Sequence, residues 1–138
     1  MQKAFKDKNS EEWFFPIDSY ILSETDDKGL ILYANEIFYD IAGYVPDELQ
    51  GEPHNIIRHP DMPRIAFKGL WEDIQTKGFW IGTVKNLRKD GGYYWVQATV
   101  LRKIASDGIV TYLSIRRVPE KSTVDACITL YAQLKDAE

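Results

Sequence analysis

Between Trp80 and Arg117 the chain runs through three stretches rich in aromatic and β-branched residues. They are separated by the turns Lys89-Asp90-Gly91-Gly92 and Ser106-Asp107-Gly108. Asp-Gly turns supply the positive φ that tight hairpins need, so the pattern predicts an antiparallel meander. Within Tyr93–Ile104, Tyr94, Val96, Ala98 and Val100 alternate with Tyr93, Trp95, Gln97 and Thr99, the period of a strand with two distinct faces. Such a meander leaves two edges that the rest of the chain must pair or cover.

The first half of the chain offers the partners. Tyr20–Thr25 and Leu30–Tyr33 flank Asp26-Asp27-Lys28-Gly29, a second hairpin signal. Asn35 is placed to cap a helix carrying Ile37, Phe38, Ile41 and Ala42 on one face, stopped by Gly43. Pro46-Asp47-Glu48-Leu49 allows one further turn before Gly51 and Pro53. Asp61 is placed to cap a longer helix in which Phe67, Leu70, Trp71 and Ile74 recur at helical spacing, ending at Lys77-Gly78. A last helix after Pro119 carries the stripe Val124, Cys127, Ile128, Tyr131 and Leu134, which is suited to docking on its own sheet or to pairing with a second copy. The order predicts an α+β domain: one five-stranded antiparallel sheet with short helices on one face. Trp13-Phe14-Phe15 and the last helix are the candidates for covering the other. We divide the chain into an N-terminal cap at 1–18, a sensor domain at 19–117 and a C-terminal signalling or linker helix at 118–138.

Charge and cysteine content narrow the function. The net charge is −4, with no global footprint for nucleic acid or an anionic membrane. The basic residues from Lys85 to Arg117 read as a solvated sheet face balanced by acidic helices. Cys127 is the only cysteine, which leaves no intramolecular disulfide and fits a reducing, cytoplasmic setting. No apolar run is long enough for a transmembrane span, and the N-terminus lacks the apolar region of a signal peptide.

The element order, Asn35-x-x-Phe38, Gly43-Tyr44, Glu48-Leu49-x-Gly51 and Tyr94-Trp95 together resemble a PAS domain over about residues 19–117. The segment Gly51–Pro63 contains His-x-x-x-Arg-His-Pro-Asp-Met-Pro. With Leu70-Trp71, Trp80-x-Gly82-x-Val84-Lys85-Asn86 and Arg88-Lys89-x-Gly91, it closely resembles the PAS domain of bacterial aerotaxis (energy-taxis) receptors. The resemblance implies a PAS fold and a non-covalently bound FAD used as a redox or oxygen sensor. It also implies a chemotaxis signalling module or receptor as partner. A homodimer through the sheet face or terminal helix is compatible with it.

Under that resemblance Arg58, His59 and Asp61 match positions implicated in flavin binding. Arg58 is suited to neutralising an FAD phosphate or negative charge at the flavin N1–C2 edge, and otherwise to a surface ion pair. His59 is suited to donating to the same ligand, and otherwise to a capped loop. Asp61 is assigned site support compatible with helix capping. Trp80 matches a family tryptophan at the flavin, and Asn86, six residues along the same strand, can present a carboxamide to the flavin pyrimidine edge from the same side. His54 lines the pocket or packs. Trp71 belongs to the helix stripe and reads first as core. Asn35 reads first as a cap and second as a ligand contact.

Rival readings are a PAS sensor binding haem, with His59 as axial ligand, or another small ligand, and a ligand-free dimerisation module. His54 and His59 lie near no cysteine, which disfavours a metal site. Light-sensing flavin PAS domains of the LOV family carry an adduct-forming cysteine in an Asn-Cys-Arg-Phe segment near the position of His54, and no cysteine stands there. No nucleophile motif or phosphate loop marks an enzyme. The chain is 13% aromatic, enough to fill a core, line a pocket, or do both.

Overall fold

The computed structural model describes residues 3–138. Two short strands, β1 (Phe5–Lys6) and β2 (Trp13–Phe14), form an N-terminal hairpin. They precede β3 (Ile21–Asp26), β4 (Ile31–Ala34), α1 (Glu36–Ala42) and α2 (Pro46–Leu49). A 3-10 turn at His54–Ile57 leads to α3 (Arg64–Lys77), the meander β5 (Phe79–Leu87), β6 (Tyr93–Ile104) and β7 (Val110–Arg117), and α4 (Lys121–Asp136). The five-stranded sheet has the order β4-β3-β7-β6-β5, antiparallel throughout, so the meander joins the first hairpin through β7.

Asn35 does what the sequence predicts for a cap. Its Oδ1 accepts from Phe38 N at 3.3 Å and from Leu22 N at 3.1 Å, and its Nδ2 donates to Tyr20 O at 2.8 Å. It thus ties α1 to the start of β3 as well as closing the helix. Asn35→Ala is expected to lower the unfolding free energy by about 1–2 kcal/mol, at the upper end for a cap because three backbone groups lose a partner at once. A loss below about 0.5 kcal/mol in urea unfolding would contradict the role. Gly43 takes the left-handed conformation (φ 79°) that ends α1.

Asp61 does not cap α3. The helix starts at Arg64 and its N-cap Pro63 offers no capping side chain; the first-turn Arg64 N donates instead to Glu138 Oε1 at the end of the chain. Pro60 and Asp61 sit in a turn closed by Met62 N donating to His59 O at 3.1 Å, and Pro63 is extended, so the chain turns helical only at Arg64. Asp61 instead accepts from Lys85 Nζ at 2.9 Å.

The core joins Phe38, Ile41, Leu49, Ile57, Tyr94 and Val96. On α3 only Ile74 is fully buried, and Trp71 stays 43% exposed. The Phe67-Leu70-Trp71-Ile74 stripe therefore faces a hollow, not the solid core that its spacing suggested.

The opposite sheet face carries the N-terminal hairpin and α4. Phe15 enters the core, while Phe5 and Phe14 stack on each other at the surface. α4 docks on its own sheet through Tyr131, whose hydroxyl donates to Thr83 O at 2.7 Å and whose ring stacks on Trp95 at 6.3 Å. Ile128, on the predicted stripe, remains exposed.

Candidate functional site

A cavity of about 330 Å³ lies between α3, the 3-10 turn and the inner sheet face. Strand alternation builds its floor from Trp80, Val84 and Asn86 on β5, Val96, Ala98 and Val100 on β6, and Tyr112, Ser114 and Arg116 on β7. Phe67, Leu70, Trp71 and Ile74 of α3 roof it. His54, Asn55 and Ile57 close one side, and Thr25, Lys28 and Gly29 of the first hairpin stand at another. The volume is at the lower end for ligand cavities, which suits a planar ring system.

Five of the predicted site residues meet here: His54, Arg58, Trp71, Trp80 and Asn86. Trp80 and Asn86 share the inner face as their spacing required. Trp71 is a cavity wall, packed edge-on against Tyr112 at 5.4 Å. Arg58 lays its guanidinium over the Phe67 ring at 3.6 Å and is held at that place by a backbone bridge to Asn86.

The same bridge sends His59 elsewhere. The segment runs beside the free edge of β5, so successive residues point to opposite faces. His59 packs edge-on against Tyr93 at 6.1 Å, and its Nδ1 accepts from Asp61 N at 3.0 Å. Asp61 and Lys85 border a groove under α4 on the outer face. His59 and Asp61 therefore lie outside the cavity. Asn35 is also outside it, its amide committed to backbone.

Sequence reading missed Arg116. On β7 the apolar Leu113 and Ile115 alternate with Tyr112, Ser114 and Arg116, so alternation alone marks the second set as solvent-facing. The structure inverts this. β7 is the middle strand, its polar set faces the cavity, and Arg116 is buried instead of belonging to a solvated basic face. Its Nη2 donates to Ser23 Oγ at 2.6 Å and its Nη1 to His54 Nε2 at 3.2 Å, with Phe38 4.7 Å beneath the guanidinium. Nε has no partner, and neither does the buried Tyr94 hydroxyl, which burial pushes up to about 12.

Because His54 Nε2 accepts from Arg116, the ring is neutral with its proton on Nδ1. Burial first, then the Arg116 and Arg58 charges, push its pKa down to about 3. The unfolded chain thus binds a proton that the folded chain refuses between about pH 3 and 6.5, and stability contributed at this site falls as pH drops through that window. His54→Gln should unfold in urea with a shallower loss between pH 6.5 and 4.5, by up to about 1.4 kcal/mol per pH unit. Carboxylates and His59 act equally in both proteins, so parallel profiles would refute the assignment.

The cavity lining contains no Asp or Glu, against Arg58, Arg116 and Lys28. It is an apolar slot with two carboxamides, Asn55 and Asn86, and an excess of cationic groups. Among the described residues no cluster of His, Cys, Asp and Glu could hold a metal ion, and no helix is long and apolar enough to cross a membrane.

The family model for the PAS fold matches residues 31–113. The chain belongs to the PAS family. It is 40% identical over 117 residues to the aerotaxis receptor of Escherichia coli, covering 85% of this chain and 23% of that receptor. Among solved structures, the light state of the blue-light photoreceptor Aureochrome1 LOV superposes with a TM-score of 0.69 at 21% identity, covering 80% of this chain and 89% of that one. A light-oxygen-voltage domain studied with a flavin analogue gives 0.67 at 20%, covering 83% and 86%. The chain is thus a PAS sensor domain similar to an aerotaxis receptor, and it spans less than a quarter of that receptor's length.

Proposed function

We propose that this PAS domain binds FAD in the α3–sheet cavity as a cytoplasmic redox sensor, and that it relays the flavin state to a chemotaxis signalling module. The observation that carries the reading is the cavity itself: aromatic walls, the Asn86 carboxamide and two arginines, in a chain 40% identical to an aerotaxis receptor. The residues present fit a flavin. Trp80, Trp71 and Phe67 would cover its apolar ring system. Asn86 would match the donor and acceptors of its pyrimidine edge. Arg58, at the exposed side, would meet its phosphates, and Arg116 would supply a buried donor with one N–H still unused. When bound, the group supplies reversible electron transfer, and the proposal is of a sensor without enzyme activity.

Relay follows from β5. Asn86 and Trp80 stand on its cavity face, while the Thr83 carbonyl holds Tyr131 of α4. A change in hydrogen bonding at Asn86 strains the same strand that anchors α4. It biases the partner only to the extent that contacts differ between the two flavin states. Association of two copies through the sheet face or α4 belongs to the same proposal.

The test is the visible spectrum of the purified protein, with mass spectrometry of the group released on denaturation. FAD, bleached by dithionite, is expected. A folded protein that stays colourless after refolding with excess FAD overturns the reading. A Soret band would favour haem, although His59 offers no axial ligand from outside the cavity.

A further inference from the structure

Arg116 is buried, and among the described residues no anion pairs with it. Its partners are a hydroxyl, a neutral imidazole nitrogen and the face of Phe38. A charge removed from water without a counter-charge is costly, and fold architecture alone does not require it here. Ser23 Oγ and His54 Nε2 stand 3.2 Å apart and satisfy each other without the guanidinium. Across the sheet Arg116 is flanked by Ile21 and Ala98, neither of which needs a donor. The missing counter-charge therefore has to come from the cavity that Arg116 lines, where no carboxylate is available.

Resting on the flavin reading above, we propose that Arg116 is the internal counter-charge for the reduced cofactor, so that the cavity holds reduced FAD more tightly than oxidised FAD. Two electrons from a reductant such as dithionite, which is oxidised to sulfite, and one proton from solvent turn the neutral flavin ring system into a monoanion. Asn86 offers dipoles to both forms. Arg58 is exposed and screened by solvent, while Arg116 is not. Arg116 is thus the group that tells the two forms apart by charge, and it raises the midpoint potential.

The experiment compares wild type with Arg116→Met, Arg116→Gln and Arg116→Lys, each loaded with FAD. Oxidised-FAD affinity is read by flavin fluorescence and the midpoint potential by anaerobic dithionite titration against a reference dye. The neutral variants should lose at least tenfold in preference for reduced FAD, a fall of about 30 mV in a two-electron potential. Their affinity for oxidised FAD should change far less, and Arg116→Lys should stay nearer wild type than either. One potential shared by all four proteins, or equal weakening of both forms, overturns the proposal while leaving flavin binding intact. A wild type that takes up no FAD overturns the flavin reading itself, and this proposal with it. If both neutral variants fail to fold without FAD, the guanidinium belongs to the fold, and the assignment to the ligand is overturned.

Discussion

Arg88→Ala is expected to lower the unfolding free energy by about 3–5 kcal/mol, the largest effect of any single replacement outside the hydrophobic core. The side chain is 7% exposed. Its Nη1 donates to Asp40 O at 3.2 Å and to Ile41 O, two carbonyls left open where Gly43 ends α1. Its Cζ lies 3.5 Å over the Trp13 ring of the N-terminal hairpin. Truncation strands two buried carbonyls, each worth about 1–3 kcal/mol, and removes a cation–π contact worth about 0.5–2 kcal/mol. The ion pair with Asp90 at 3.2 Å adds little, because that carboxylate is half-exposed and resolvates. With a urea slope of about 2 kcal/mol per M, the midpoint should fall by roughly 2 M. Arg88→Lys should recover only a minor part, since an ammonium cannot reach both carbonyls and Asp90 in one plane. A loss below about 1 kcal/mol would show that water takes over the α1 carbonyls.

Gly82→Ala should weaken FAD retention by at least tenfold while lowering stability by only about 1–3 kcal/mol. Gly82 lies between Trp80 and Val84 on the cavity face of β5, and its backbone is ordinary extended strand. The constraint is steric: a Cβ there would stand 2.2 Å from Trp80 Cζ2 and 2.4 Å from Cη2. The indole folds flat over the glycine, and a rigid bicyclic ring cannot yield a fraction of an ångström as a flexible chain end would. It must swing away, changing the cavity wall. In a Trp80→Ala background the second change should be close to neutral, so the coupling appears in a double-mutant cycle. A Gly82→Ala protein that keeps wild-type FAD affinity and tryptophan fluorescence would remove Trp80 from the site.

The site was readable in proportion to how local its signals are. Trp80 and Asn86 share a strand, so a two-residue period suffices to place them together. Arg58 and His54 came from a contiguous motif, and the structure puts both at the cavity. His59 and Asp61 stand in that motif too, yet they face away, because a single backbone bridge from Arg58 to Asn86 sets the alternation of the segment. Nothing in the local sequence reveals that bridge. The Asn35 cap was readable from its spacing to Phe38, whereas the Asp61 cap failed because Asp61 lies in a turn before Pro63 and the helix starts only at Arg64.

The chain by itself determined its hairpins, its helix stops and the pairing of aromatic with small residues along β5 and β6, since these depend on neighbours a few residues away. Only the tertiary structure decided which face of β7 is inside. Leu113 and Ile115 carry the apolar side of that strand, and local alternation would bury them. Placement of β7 in the middle of the sheet, beneath a helix held off by a hollow, turns Tyr112, Ser114 and Arg116 inward instead. A cavity can accept polar groups where a filled core cannot, because a bound ligand can complete the hydrogen bonds and charge that apolar packing leaves unmet.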